Sequence, residues 1–226
     1  MRVSPVVDDP RDLDLLDVGE RARAARRSDP LPFVRAHALL RRMVADRLGQ
    51  PAEGLAFSRR CTTCGSERHG KPSLDGHESV RFSVSYAGDL VLVALADSVD
   101  VGVDLEVPAA TDFYGFPRVT LTPGEEAGFD GLVGDRLLAA RALVWARKEA
   151  ILKATGHGLV VDPGEIQVSA PDAPPTMTGW SADAVAPAHV TLVDLDVAGL
   201  GLSRGGHRGA LAILDRRTPT IDLAPA

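Results

Sequence analysis

The chain has 226 residues, 45% of them hydrophobic and 25% charged, so it can bury a large core in one domain or two halves. Its formal net charge of −6 argues against a general nucleic-acid binder, and no apolar run reaches the ~20 residues that a membrane span requires. Two cysteines and no signal peptide at its start predict a cytoplasmic protein without disulfides.

A basic cluster follows the first eighteen residues. Those eighteen residues are acidic, and we assign no structure to them. Four arginines fall within seven positions: Arg21, Arg23, Arg26 and Arg27. Asp29 as N-cap, Pro30 at N1 and Gly49 beyond the last turn then predict a helix over residues 30–48. Its apolar seam leaves Arg35 on a different face. A single arginine here fits a solvated helix flank, but the cluster in an acidic chain indicates a seat for a phosphorylated ligand.

Two short motifs come next. Cys61 and Cys64 have the spacing of a zinc pair, which His69 or His77 could complete. Because the sequence has no second CxxC, two reduced loop cysteines are the favoured interpretation. The run Gly-Lys-Pro at residues 70–72 predicts a turn that holds Lys71 outward on a stiffened backbone.

The middle of the chain predicts a hairpin and a third strand. Residues 80–87 and 90–96 flank a Gly-Asp turn, and the strand with Asp104 and Glu106 follows at once, so we expect a three-stranded meander. Residues two apart share a strand face about 7 Å apart, which places these two carboxylates together. Neighbouring carboxylates repel unless a proton or a divalent cation lies between them, and Mg²⁺ favours such oxygens.

A second helix supplies a third acidic residue. An Ala- and Leu-rich run predicts a helix over residues 135–154 that ends at Gly156. Helical spacing places Glu149 on a seam with Leu138, Ala142, Trp145 and Leu152. A carboxylate on an apolar face needs a partner, which Lys153 one turn later supplies in part and a bound cation would supply better.

The remaining elements complete an α+β pattern. Thr122 and Glu125 form a capping box that begins a short helix. Strand-like stretches cover residues 159–161, 166–169, 189–197 and 209–214. The proline-rich residues 170–187 predict a loop or irregular hairpin, and residues 218–226 predict a frayed tail.

Two of these motifs together resemble the signatures of the Sfp-type 4′-phosphopantetheinyl transferase family. The first is Gly102-Val103-Asp104-Leu105-Glu106, and the second is Trp145-x-x-Lys148-Glu149-Ala150-x-x-Lys153 followed by Gly156-x-Gly158-Leu159. Gly70-Lys71-Pro72, Phe82-Ser83-Val84-Ser85 and the arginine-rich helix resemble further landmarks of the family. The likeness extends over roughly residues 20–214.

The resemblance implies an enzyme that moves the phosphopantetheine arm of coenzyme A onto a serine of an acyl or peptidyl carrier protein and releases 3′,5′-ADP. It implies two similar α+β halves, residues 1–107 and 108–226, related by a pseudo-twofold. Each would have an antiparallel sheet with packed helices, and coenzyme A would lie in the cleft between them. Asp104, Glu106 and Glu149 would hold Mg²⁺ with the pyrophosphate. Glu149 would also be the base for the carrier serine, and Lys153 would steady the phosphate under attack.

The coenzyme A contacts follow from the same resemblance. Lys71 and Ser85 match positions that contact its phosphates, and the positions that hold the adenosine 3′-phosphate match Arg23, Arg27 and Arg35. One position departs from the family, because Tyr86 stands where histidine is usual. A phenol can donate a hydrogen bond but carries no positive charge near neutral pH, so we expect weaker coenzyme A binding without loss of the chemistry.

The carrier protein is expected to dock on apolar and basic residues of the second half of a monomer. Candidates are the loop with Phe113, Tyr114 and Phe116 and the segment up to Thr122, which includes Arg118. Two other functions stay open: an inactive coenzyme A or carrier-protein binder of the same fold, and a different Mg²⁺-dependent enzyme acting on a nucleotide pyrophosphate. A structural zinc module is the least favoured.

Overall fold

Antiparallel sheets and packed helices make up the fold. A computed structural model describes residues 1–59, 65–66, 70–202, 205–216 and 220–226. The helices are α1 (Pro10–Leu15), α2 (Val18–Ala24), α3 (Leu31–Leu48), α4 (Phe116–Thr120), α5 (Pro123–Glu126) and α6 (Gly134–Thr155). The strands are β1 (Arg2–Pro5), β2 (Phe57–Arg59), β3 (Pro72–Leu74), β4 (Val80–Ala87), β5 (Leu90–Asp97), β6 (Val101–Glu106), β7 (Ile166–Val168), β8 (Met177–Trp180), β9 (Thr191–Leu195), β10 (Arg208–Ile213) and β11 (Ala224–Pro225).

Two main sheets lie between the long helices α3 and α6. One has the order β11-β1-β5-β4 and the other β6-β10-β9, while β2-β3 and β7-β8 are small hairpins. In β5 the side chains alternate: Leu90 and Leu92 pack toward the second sheet, and Val91 and Val93 pack toward α3. The opposite face of the second sheet is covered by α6. The α+β class is therefore confirmed, and the pseudo-twofold relation between residues 1–107 and 108–226 stays a prediction.

The predicted hairpin is present, but the meander is not. β4 and β5 pair across a two-residue turn, with Ala87 opposite Leu90. β6 pairs with β10 in the other sheet instead of with β5. Its second edge lies against β4, where the backbone amides of Val103 and Leu105 donate to serine hydroxyls and not to carbonyls.

Both long helices end where the sequence predicts. Gly49 and Gly156 adopt the left-handed conformation after α3 and α6, with φ of 65° and 76°. The start of α3 is one residue later than predicted, because Pro30 occupies the N-cap and Asp29 accepts a hydrogen bond from the Leu31 amide.

Some local predictions are confirmed and others are wrong. Strands β7 and β9 fall within predicted stretches, β10 begins one residue before its predicted stretch, and β8 completes an irregular hairpin with β7. Residues Gly158–Val160 form a short 3₁₀ turn instead of a strand. At the C-terminal end, β11 pairs with β1, so these residues are not frayed. The first eighteen residues contribute β1 and α1.

The zinc hypothesis rests on Cys61, Cys64 and His69, which lie outside the described residues. Within the described part of the chain, no helix is long and apolar enough to cross a membrane.

Candidate active site

Strand β6 carries two of the predicted acids on the face turned toward α6. Val101, Val103 and Leu105 are buried on the opposite face, in the core between the two sheets. Gly102 shares the acidic face, and a Cβ there would collide with the carbonyl oxygen of Ala150 and the amide nitrogen of Ala154. The missing side chain thus lets the α6 backbone lie directly on β6, beside Asp104.

Helix α6 brings Glu149 and Lys153 to the same place. The Lys153 ammonium contacts Asp104 Oδ1 at 2.5 Å, so its ion-pair partner is this aspartate and not the glutamate one turn earlier. Glu149 Oε1 and Asp104 Oδ2 are both buried and make no hydrogen bond. The structure therefore brings these three predicted residues together, with Glu106 adjoining them on β6.

The cluster has more carboxyl groups than Lys153 alone can pair with. Burial, followed by the charge of Asp104, raises the pKa of Glu149, while Lys153 acts in the opposite direction. Burial and the Asp104 charge also raise the pKa of Glu106, to about 8. Closely spaced carboxylates have this effect on one another when no cation separates them.

These residues fit a magnesium ion that is shared with a ligand. Among the described residues, no group of three or more Asp, Glu, His or Cys side chains is placed so that it could hold a metal ion by itself. Mg²⁺ commonly takes only one or two carboxylates and completes its shell with water and substrate phosphate. The unpartnered oxygens of Asp104 and Glu149 are hard donors of the required kind.

Ser85 is hydrogen-bonded within this cluster, and its predicted contact with coenzyme A stays a prediction. Its hydroxyl donates to Asp104 Oδ1 at 2.9 Å. It accepts from the Leu105 amide at 3.2 Å and from the Lys153 ammonium at 3.1 Å. Family resemblance predicted a phosphate contact at this position, but the hydroxyl is buried and fully engaged within the protein.

Lys71 is engaged in a similar way. Its ammonium donates to Asp100 Oδ1, to the Val101 carbonyl and to the Ala154 carbonyl, at 2.9–3.1 Å. A lysine has three N–H donors, so all of them are used. Lys71 therefore ties the turn before β3 to the start of β6 and the end of α6, and it also lines the cleft described next.

A cleft of about 970 Å³ runs past Lys153. Its cationic end is lined by Arg23, Arg27 and Arg59, and its other end by Leu152 and residues 156–160. Leu159 and Val160 are exposed at that end, being 70% and 62% accessible. The cleft thus joins a basic pocket to the edge of the acidic cluster through Lys153.

Two aromatic rings hold one of the predicted arginines. The Arg27 guanidinium lies 4.7 Å from the centroid of Phe33 and 5.7 Å from that of Tyr86. Tyr86 therefore lines the cleft and contacts the neighbouring cation through its ring, and its contact with coenzyme A stays a prediction. Arg23 is close by, with its Nε buried and unpartnered.

Arg59 and His37 complete this end of the cleft, and neither was predicted as a site residue from the sequence. Burial, and next the neighbouring Arg23, lower the pKa of Arg59. His37 stacks on Phe33 at 3.8 Å, and burial lowers its pKa to about 4. The histidine is therefore neutral at physiological pH, and the pocket's positive charge comes from arginines.

Arg35 lies outside the cleft. Its guanidinium donates to the Ser4 hydroxyl at 2.8 Å and to Asp12 at 3.2 Å, on the side of α3 turned away from Tyr86. Because Ser4 and Asp12 hold the Arg35 side chain away from the cleft, the structure does not place it where the predicted contact with coenzyme A would form.

Two buried ion pairs fix α6 in place. Lys148 is fully buried and contacts Glu125 at 2.5 Å, and it also donates to the carbonyls of Thr120 and Pro163. Arg147, equally buried, pairs with Asp194 on β9 at 2.6 Å. Sequence spacing did not identify these partners, because they come from segments distant along the chain.

Beyond the cluster, the segment expected to bind a carrier protein has an exposed apolar surface. Tyr114 is fully exposed, and Phe113 and Val119 are about half exposed. Phe116 instead is buried beside Trp145, at 6.3 Å between ring centroids. Arg118 lies on the exposed side of α4.

Residues 100–207 match the family model described as the 4′-phosphopantetheinyl transferase superfamily. The 4′-phosphopantetheinyl transferase AcpT of Salmonella typhi is 34% identical over 88 residues, which are 38% of this chain and 46% of the relative. The Synechocystis protein slr0495 is 30% identical over 151 residues, covering 64% of this chain and 58% of the relative. The chain thus spans about half the length of the curated relatives it matches.

Proposed function

We propose that this chain, whose residues 100–207 match the model of the 4′-phosphopantetheinyl transferase superfamily, transfers the phosphopantetheine arm of coenzyme A to a serine of an acyl or peptidyl carrier protein. One observation carries the proposal: Lys153 contacts Asp104 in the acidic cluster and also lines the arginine-rich cleft. A single ligand with phosphates at two separated positions would meet both.

The cationic end of the cleft suits the adenosine 3′-phosphate. Arg23, Arg27 and Arg59 line it, and a guanidinium binds phosphate oxygens in a fixed, often bidentate, geometry. Glu20, also on the lining, is already paired with the buried Arg41 at 2.7 Å. It therefore neutralises Arg41 and leaves the three arginines to a ligand.

The pyrophosphate of coenzyme A would then lie near Lys153. Of its three N–H donors, one contacts Asp104 and one Ser85, so one is left for a phosphate oxygen. Asp104, Glu106 and Glu149 would hold Mg²⁺ there. When bound, Mg²⁺ would neutralise the pyrophosphate oxygens and improve the leaving group.

Glu149 is proposed as the general base. Its unpartnered Oε1 is free to accept the proton of the carrier serine, and a pKa raised by burial makes this carboxylate a better base near neutral pH. The serine oxygen would form a bond to the β-phosphorus of coenzyme A. The bond from that phosphorus to the bridging oxygen of 3′,5′-ADP would break, and 3′,5′-ADP would leave.

The carrier protein is proposed to dock on residues 113–122. The exposed Tyr114, Phe113 and Val119 offer an apolar contact, and Arg118 offers a positive charge for an acidic partner. We also keep the division at residues 107 and 108 as a proposal, with Asp104 and Glu106 in the first half and Glu149 in the second.

Mass spectrometry tests the function directly. Candidate apo carrier proteins are incubated with the chain, coenzyme A and Mg²⁺, and the added arm is read as a mass increase. We expect Glu149→Gln and Asp104→Ala each to abolish transfer, and Glu126→Gln, a change at an exposed acid, to leave it intact. Full activity in either of the first two variants would remove the mechanism.

Thermal unfolding separates the alternative substrate class. Coenzyme A should raise the melting temperature of the native chain, because a ligand that binds only the folded state stabilises it. Protection by ATP or NAD and none by coenzyme A would favour an enzyme acting on a different nucleotide pyrophosphate.

A further inference from the structure

We infer that Arg41 is a positioning residue that holds the cationic end of the cleft in shape. Its side chain is fully buried, whereas Arg23, Arg27 and Arg59 line the cleft. The inference rests on the proposed function and deepens it, because it assigns the preference for a ligand with a phosphate at that end to a buried residue that acts through its neighbours.

The Arg41 guanidinium, on α3, has polar partners on all three of its nitrogens. Nε donates to Glu20 Oε2 at 2.8 Å, and Nη2 donates to Asp17 Oδ2 at 2.9 Å. Nη1 donates to the carbonyls of Ala52 and Leu55, at 2.9 and 3.0 Å. A guanidinium presents five N–H donors in a planar fork, whereas an ammonium has three on a flexible stem. A lysine at this position therefore could not keep all of these contacts.

The two acids that Arg41 binds form the first turn of α2. Asp17 is the N-cap and accepts from the Glu20 amide at 2.7 Å, while Glu20 accepts from the Asp17 amide at 3.0 Å. Arg41 thus binds both side chains of a capping box. Arg23 lies in the last turn of α2, and Arg27 lies just beyond its end. The anchor at the start of this short helix therefore determines where these two arginines stand.

The same guanidinium also holds the segment that leads to the third arginine. The carbonyls of Ala52 and Leu55 come just before β2, and the Phe57 ring on β2 lies 5.1 Å from the Arg41 guanidinium carbon. Arg59 is the last residue of β2. One side chain on α3 therefore ties together the two segments that supply the arginines of the cleft.

The charges at this end of the cleft also depend on Arg41. Burial and then the charge of Arg23 lower the pKa of Arg59, whereas Glu20 raises it. Glu20 lines the cleft and is paired with Arg41 at 2.7 Å. Because a guanidinium binds carboxylate and phosphate in the same way, a Glu20 without Arg41 would compete with a ligand phosphate for the remaining arginines.

Calorimetry with coenzyme A and with dephospho-coenzyme A, which lacks the 3′-phosphate, tests the inference in the presence of Mg²⁺. The native chain should bind coenzyme A more tightly. Arg41→Lys should weaken coenzyme A binding by about tenfold, the factor expected when a charge-assisted hydrogen bond is misplaced. Its affinity for dephospho-coenzyme A should be unchanged. The preference for the 3′-phosphate should therefore fall, whereas a general loss of stability would weaken the binding of both ligands alike.

Two further variants make the measurement specific. Arg147→Lys is the matched control, because Arg147 is equally buried but anchors α6 by pairing with Asp194 on β9. It should leave the preference for coenzyme A at its native value. Asp17→Asn keeps a good N-cap residue but removes the charge that pairs with Arg41. It should lower the preference by about threefold, and it tests the inference if Arg41→Lys does not fold.

Other results would overturn the inference. An equal loss of affinity for both ligands in Arg41→Lys would make Arg41 a general support of the fold. A native preference in both Arg41→Lys and Asp17→Asn would show that the arginines are held without this anchor. A similar fall in Arg147→Lys would assign the effect to lost stability. A native chain that binds both ligands equally would remove the 3′-phosphate from the arginines, and one that binds neither would refute the proposed function itself.

Discussion

Replacing Glu106 with glutamine should make the ligand-free protein more stable at neutral pH. Burial and the Asp104 charge raise the pKa of the folded-state Glu106 carboxyl to about 8, from an ordinary value of 4.5. Its contribution to stability is therefore fully present below pH 4.5 and is lost as the pH rises toward 8. A glutamine has nearly the same shape, carries no charge and does not titrate.

The magnitude follows from the pKa shift. At pH 7 the unfolded chain has ionised Glu106, whereas the folded chain still holds the proton. Between the two pKa values, each pH unit above the unfolded-state pKa lowers the unfolding free energy by about 1.4 kcal/mol. At pH 7 the unfolding free energy is therefore lower by about 3 kcal/mol than at pH values below 4.5. Glu106→Gln should recover that amount at pH 7 and almost none at pH 4.5.

Urea unfolding in EDTA at pH 5 and pH 7.5 measures this difference. The native chain should lose stability relative to Glu106→Gln between the two conditions. Glu78→Gln is the matched control, because it removes the same charge at an exposed position. The electrostatic account of the site is refuted if Glu106→Gln is no more stable than the native chain at pH 7.5, or if Glu78→Gln gains as much.

Three further predictions address the supports of the site. Tyr86→Leu should weaken coenzyme A binding about threefold to tenfold in calorimetry, because it removes one ring beside Arg27, and Tyr86→Phe, which keeps the ring and loses only the hydroxyl, should weaken it less. Tyr86→His should bind more tightly than the native chain; identical affinities would show that the tyrosine is no weakened substitute. Gly102→Ala should lower the unfolding free energy by at least about 1–3 kcal/mol, because its Cβ meets backbone atoms of α6; an unchanged urea midpoint would contradict this. Lys148→Met should cost about 3–5 kcal/mol by leaving Glu125 charged and buried, and adding Glu125→Gln should restore part of the loss; equal stabilities of the single and double variants would argue against an ion pair.

Local features of the fold were predictable from residue spacing. Gly49 and Gly156 mark helix ends because the left-handed conformation there favours glycine. The alternation from Val101 to Glu106 determines which side chains share a face, so Asp104 and Glu106 were correctly placed side by side. Such patterns depend only on neighbours within a few positions.

Features that depend on distant segments were not predictable in this way. The choice of β10 as the partner of β6 depends on residues about a hundred positions away. Lys153 pairs with Asp104 because the glycine at position 102 sets the height of α6 above the strand, and i,i+4 spacing alone favoured Glu149. Arg35 had the residue type expected of a phosphate ligand, but Ser4 and Asp12 determine its direction.

The serine contacts between β4 and β6 also allow the site to be probed by amide hydrogen exchange. A main-chain ladder protects amides as a block, but the amides of Val103 and Leu105 each depend on one hydroxyl, from Ser83 and Ser85 respectively. Their deuterium exchange can therefore be changed one at a time by a single side-chain substitution. Because Leu105 follows Asp104 directly, the exchange rate of its amide would report, residue by residue, how firmly the reaction centre is held before any substrate arrives.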